Sequence, residues 1–241
     1  MNRWARIAAS ACVISTAAVC WAQPKPENLP VSTWVREDVF AGILVGDMER
    51  FEAGVKKLET YLADHRDSGD ALAWLAGTQL LRAVRAHEAG DRAAFQRHYD
   101  QAMATFARAA ADKNQAVFAI TGGSFTVMAD RLPPELREAA YQRAYDNYVA
   151  LKAAQAPYFD KLPVHMRGEV LAGLAQAADR IGKPDESKHY LAQLVAALPG
   201  TPYESRAKKW MERPEMAKTT SLTCQTCHDA GRLQAVLSAQ Q

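Results

Sequence analysis

Beyond its first 22 residues, this 241-residue chain has only two cysteines, Cys224 and Cys227. That scarcity excludes a fold held by a disulfide framework. A surplus of one charge is missing too. Arg3 and Arg6 lie in the first 22 residues, and the 29 basic residues less these two equal the 27 acidic ones. A chain so balanced has no broad electrostatic claim on nucleic acid or on an anionic membrane. It has no apolar run of the roughly 20 residues that span a bilayer, so direct membrane insertion is not expected. Glycine and proline stay in short clusters, and no alternating strand pattern is visible. There is no phosphate-cradling glycine loop and no suggestion of a Ser-His-Asp arrangement, so the chain is not expected to be an enzyme.

The first 22 residues belong to a different class. Arg3 and Arg6 precede a short apolar stretch from Ile7, and small residues approach its end at Ala22. That order describes a secretory signal peptide over residues 1–22, cleaved after Ala22. A membrane anchor fits less well, because the apolar run is short. A lipoprotein reading of Cys20 meets Val19 where a small residue is expected. The expected location is therefore the periplasm. Residues 23–32 follow as an extended leader, since Pro24, Pro26 and Pro30 disfavour a helix.

From 33 to 212 the hydrophobic period is helical. Phe51, Val55, Leu58 and Leu62 form one stripe, and Leu72, Ala76, Leu80, Ala83 and Val84 a second. Phe95, Tyr99, Ala102, Phe106 and Ala109 make a third; Leu136, Ala140, Ala144, Tyr148 and Leu151 a fourth. Steps of three and four place each set on one helix face. Gly46-Asp47, Gly90-Asp91 and Gly182-Lys183-Pro184 mark turns, as do Leu132-Pro133-Pro134 and Ala156-Pro157. Thr201-Pro202-Tyr203-Glu204 reads as a capping box. Gly122-Gly123 falls inside a helical stretch, where it permits close packing or a bend.

Leu171, Leu174, Ala175, Ala178, Gly182, Leu191, Leu194 and Pro199 resemble the tetratricopeptide pattern in spacing, and Gly90, Phe95, Tyr99 and Ala102 resemble its second helix. The intervals Gly46–Gly90 and Gly90–Gly182 are not multiples of the 34-residue repeat, and Ser187 stands where the repeat prefers alanine. The expectation is an all-α protein: a tetratricopeptide-like solenoid of antiparallel helix pairs with degenerate repeats, followed by a separate C-terminal tail over 213–241. A plain helical bundle is the alternative, because amphipathic helices alone satisfy both.

The tail carries the chemistry. Cys224-Gln225-Thr226-Cys227-His228 is the signature of covalent haem attachment. Two cysteines three apart lie on one side of a helical turn, where both sulfurs can add to the vinyl groups of one porphyrin. The adjacent His228 then meets the iron as proximal ligand. A redox dithiol would be expected in a βαβ setting that is missing here. A structural zinc would need four ligands, and only His189 and other distant histidines could complete it. An inert disulfide leaves His228 unexplained. The run resembles the monohaem c-type cytochromes, strictly only over 224–228.

Its place near the C-terminus resembles the cytochrome c′ class, in which His228 would be proximal and the iron usually lacks a strong sixth ligand. The greater length and the tetratricopeptide-like spacing depart from that class. No Met or His follows His228, so a sixth ligand would come from upstream or from a partner. Met216 is the leading candidate for distal iron ligand, ahead of Met211 and then of His165 and His189. Leu233, Val236 and Leu237 recur at helical spacing and could cover a haem face, with Arg232 near a propionate.

The resemblance implies an electron carrier with one covalent haem c, docking a redox partner protein or a membrane respiratory complex. The second reading is a periplasmic scaffold or haem-based sensor, with a structural or ligand-binding haem. Exported from a bacterial host, the mature chain is expected to begin at Gln23, which the intact mass of the purified protein checks. A mass that retains residues 1–22 would refute the cleavage.

Overall fold

The computed structural model describes residues 38–223. The expected signal peptide and leader, and the whole Cys224–His228 run, lie outside the described residues. Within them the chain is helical with no strand, as the stripes imply. A short π-helical turn, Ala41–Val45, is followed by α1 (Met48–Asp64), α2 (Gly69–Glu88), α3 (Arg92–Ala109) and α4 (Gln115–Met128). Then come α5 (Pro134–Gln155), α6 (Val164–Arg180), α7 (Pro184–Ala197) and α8 (Pro202–Glu212), with a 3-10 turn at Pro214–Lys218.

The helix starts are fixed by local chemistry. Asp47, Asp91 and Asn114 each accept the backbone N–H three residues on, at 2.9–3.1 Å. Each such cap is worth about 1 kcal/mol. Thr201 caps α8 by accepting from Glu204 N at 3.3 Å. The capping box closes one residue early, because the Glu204 carboxylate takes the Gly200 N–H at 2.6 Å instead of that of Thr201. The expected glycine turns at Gly46, Gly90 and Gly182 have φ of 78°, 76° and 74°, a left-handed conformation that glycine adopts freely.

Short connections make α2 and α3, α4 and α5, and α6 and α7 hairpin partners. Helices α2, α4, α6 and α8 also touch in succession, so the first members of the hairpins form a row. All four stripes face the interior. One apolar cluster joins α1 to α6. A second gathers Leu171, Leu191, Leu194, Tyr203 and Trp210 with Ala217 and Leu222, so the chain beyond α8 folds back onto α6. At the other end Asp38, largely buried, binds Arg50 at 3.2 Å and Lys57 at 2.6 Å, tying the entering chain to α1.

The row closes tightly around one side chain. Tyr148 of α5, only 3% exposed, passes between α4 and α6 because Gly122 and Gly173 face it. A Cβ at Gly122 would stand 3.2 Å from the ring, and one at Gly173 would overlap it. Gly123, one residue on, meets only the Tyr148 hydroxyl at 3.8 Å. Gly173→Ala is therefore expected to cost about 1–3 kcal/mol through overpacking. Gly123→Ala should be neutral or stabilising, since alanine is the better helix former by about 1 kcal/mol. Thermal and urea melts followed by circular dichroism separate the two; equal melts would refute the wedge.

Candidate functional site

The same wedge leaves a space beside it. An apolar cavity of about 250 Å³ opens between the first turn, α2, α4, α5 and α6. Phe40 and Trp74 meet edge to face at 5.3 Å on one wall. Ile120, Gly123, Ser124 and Val127 of α4 form the floor, Tyr148, Leu151 and Gln155 of α5 the far side. His165, Met166, Glu169 and Val170, from the first turns of α6, stand at its edge.

Its polar groups are few. Gln155 is 2% exposed, and its side-chain carbonyl Oε1 has no hydrogen-bond partner. Such a buried orphan acceptor costs about 1–3 kcal/mol unless something binds it. His165 and Glu169 are bridged by Tyr203 of α8. The Tyr203 hydroxyl donates to Glu169 Oε1 at 2.8 Å and lies 3.3 Å from His165 Nδ1. With the hydroxyl hydrogen on Glu169, Nδ1 is the donor of the second bond. Tyr203 reaches this position because Gly168 has no side chain to block its ring.

The chain beyond α8 is anchored on α6. Arg180, at the last turn, donates to the Ala217 carbonyl and pairs with Asp130 at 3.1 Å. Its guanidinium also lies 5.6 Å from the Tyr141 ring centroid. Burial pushes the Tyr141 phenol up. One turn earlier, the buried Gln176 Oε1 accepts from Ser221 Oγ at 3.0 Å and from Leu222 N at 2.8 Å. Trp210 Nε1 donates to Thr220 Oγ1 at 2.9 Å. Thr223, the last described residue, is fully buried.

The sequence-derived candidates fall in different places. Cys224, Cys227 and His228 lie outside the described residues. Met216, the leading distal candidate, packs against the second apolar cluster around Trp210 and not on the cavity. Met211 is exposed, and His189 lies against Gln193 at 2.7 Å on α7. His165 does reach the cavity, and Met166 beside it is 40% exposed. An imidazole and a thioether at the mouth of an apolar cavity are donors of the kind a haem iron accepts. By contrast, no group of three or more His, Cys, Asp or Glu among the described residues could hold a bare metal ion. No described helix is long and apolar enough to cross a membrane.

Sequence reasoning missed Gln176, Gln155 and Tyr203. The one available signal was the polar Gln176 inside the apolar stripe Leu171–Ala178. No protein-family model, no curated protein and no solved structure matches this chain.

If Gln176 holds the tail, Gln176→Ala removes two buried hydrogen bonds, each worth about 1 kcal/mol net. The population with the tail lifted should rise about thirtyfold, read as faster tryptic cleavage after the exposed Lys218. Unchanged cleavage with an unchanged melting temperature would refute the anchor.

Proposed function

We propose that the chain is a periplasmic c-type cytochrome with one covalent haem c, serving electron transfer with a docked redox partner. The observation that carries this reading is the run Cys224-Gln225-Thr226-Cys227-His228. Cys224 and Cys227 would hold the two thioether links and His228 the iron's proximal side. Bound there, the haem supplies one-electron chemistry. The signal-like first 22 residues support the reading independently, since they direct the chain to a compartment in which such attachment takes place.

The row of helix hairpins supports the finer description, a tetratricopeptide-like solenoid with degenerate repeats and a C-terminal haem tail. In that description the solenoid docks a redox partner protein or a membrane respiratory complex, and the tail presents the redox group beside it. The anchor on Gln176 and Arg180 fixes where the tail leaves the helices, so the group would be held at one place on the protein.

The test is expression of the full-length precursor in a host with the c-type maturation system, followed by a denaturing gel stained for haem. Stain is expected to stay with the denatured chain and to vanish in the double variant Cys224→Ala, Cys227→Ala. Colourless protein from a strain that matures a control cytochrome would overturn the reading.

A further inference from the structure

The walls of the apolar cavity come from the first turn, α2, α4, α5 and α6, and they specify what it can hold. Its far side is fixed from behind. Tyr148 is wedged against Gly122 and Gly173, so that wall cannot collapse inward without unpacking the helix row. At the edge Met166 is 40% exposed, which gives the cavity a path to solvent. A dry cavity of about 150 Å³ lined by aliphatic and aromatic side chains takes up benzene. At about 250 Å³ this one has room for a ring with a short alkyl chain. Phe40 and Trp74, edge to face on one wall, offer that ring an aromatic surface.

Two polar features narrow the class of ligand. Gln155 lines the cavity, is 2% exposed, and has an unpartnered Oε1. A ligand that brings a hydroxyl removes a cost the folded protein already bears. The terminal torsion of a glutamine is soft, so either end of the amide can turn to that hydroxyl. The hydroxyl then donates to the carbonyl or accepts from the NH2. Charge decides the rest. Among the described residues lining the cavity Glu169 is acidic and none is Lys or Arg. An anionic ligand would lose its hydration here with no cation to meet it, which excludes fatty acids and benzoates.

We propose that this cavity is a binding site for a small neutral alkylphenol. Its ring and chain lie against the apolar walls and its hydroxyl pairs with the Gln155 amide. The site is built from residues of the helices alone. It is separate from the Cys224–His228 run and does not depend on the cytochrome reading.

The test is isothermal titration of the purified mature chain with para-propylphenol, propylbenzene and para-propylbenzoate. The phenol should bind with a dissociation constant on the order of 100 μM, and the benzoate should not bind. A purely apolar cavity prefers propylbenzene, because the phenol must give up its hydrogen bonds to water. Wild type should prefer the phenol, and the ratio of the two affinities should fall at least about tenfold in Gln155→Leu. That variant removes an orphan acceptor, so it should melt no lower than wild type, and a failure to fold does not confuse the result. Gly123→Leu fills the cavity from a position where a Cβ has room, and should abolish binding of the phenol while circular dichroism shows intact helices. The same affinity ratio in wild type and Gln155→Leu would overturn the proposal, as would a folded Gly123→Leu that binds like wild type. Benzoate binding as tight as that of the phenol would overturn it too. So would no binding of the phenol, the result expected if residues 23–37 of the chain fill the cavity.

Discussion

Tyr148 can cross between α4 and α6 only because two glycines, Gly122 and Gly173, leave its ring room. Much of the inner arrangement follows from that passage. A side chain at either glycine would push α4 or α6 outward, and the apolar faces of these helices would no longer close on α5. With the ring in place, α4 and α6 pack together on one side of it. The ring also forms part of the wall of the cavity lined by Ile120, Val127, Leu151 and Val170. Close packing and the cavity thus share one cause. Interiors are dense, so a space of about 250 Å³ persists only where rigid walls prevent collapse.

The chain beyond α8 is held by different means. Its apolar contribution is small, chiefly Ala217 and Leu222. Most of its definition comes from polar groups on α6 and α8: Arg180, Gln176 and Trp210. In buried surroundings such bonds cost more when left unmade than they contribute when made, so they specify a position more than they add stability. Gln176 illustrates this. One carbonyl oxygen takes both Ser221 and Leu222, so a shift of the tail by one residue would break both bonds.

How far the sequence discloses this differs by element. The stripes of α1, α3 and α5 are regular, with polar residues opposite, and the period alone locates their core faces; α2 carries its stripe but is buried on most sides. Helix α4 is harder to read because Val117, Phe118, Ile120, Phe125, Val127 and Met128 leave it apolar on almost every side. Such a helix has no single stripe, and its second apolar face is the one that lines the cavity. The Gly122-Gly123 pair is visible as a close-packing signal, but its partner is a tyrosine a helix away, which no local pattern specifies. The turn glycines and the caps depend on neighbours in sequence and so are legible. Gln176, Gln155 and Tyr203 depend on partners some 30 to 50 residues distant, or on having none, and are not.

The attachment signature and the cavity also differ in how much they constrain the rest of the chain. Five consecutive residues suffice for the first, whatever fold precedes them, so the motif says little about its surroundings. The edge of the cavity requires coordination among α5, α6 and α8. Gly168 must lack a side chain for Tyr203 to cross α6, and Tyr203 must be there to hold Glu169 and orient His165. A histidine on an exposed first turn would otherwise turn freely, with either nitrogen protonated. Here its ring is oriented by a residue on the next hairpin. Under the reading proposed, the chemistry of attachment is local to the tail, while the shape of the cavity edge is distributed through small residues, Gly122, Gly168 and Gly173, far from the motif in sequence. Substitutions at those glycines would therefore reshape the cavity edge through packing, by displacing Tyr148 or Tyr203.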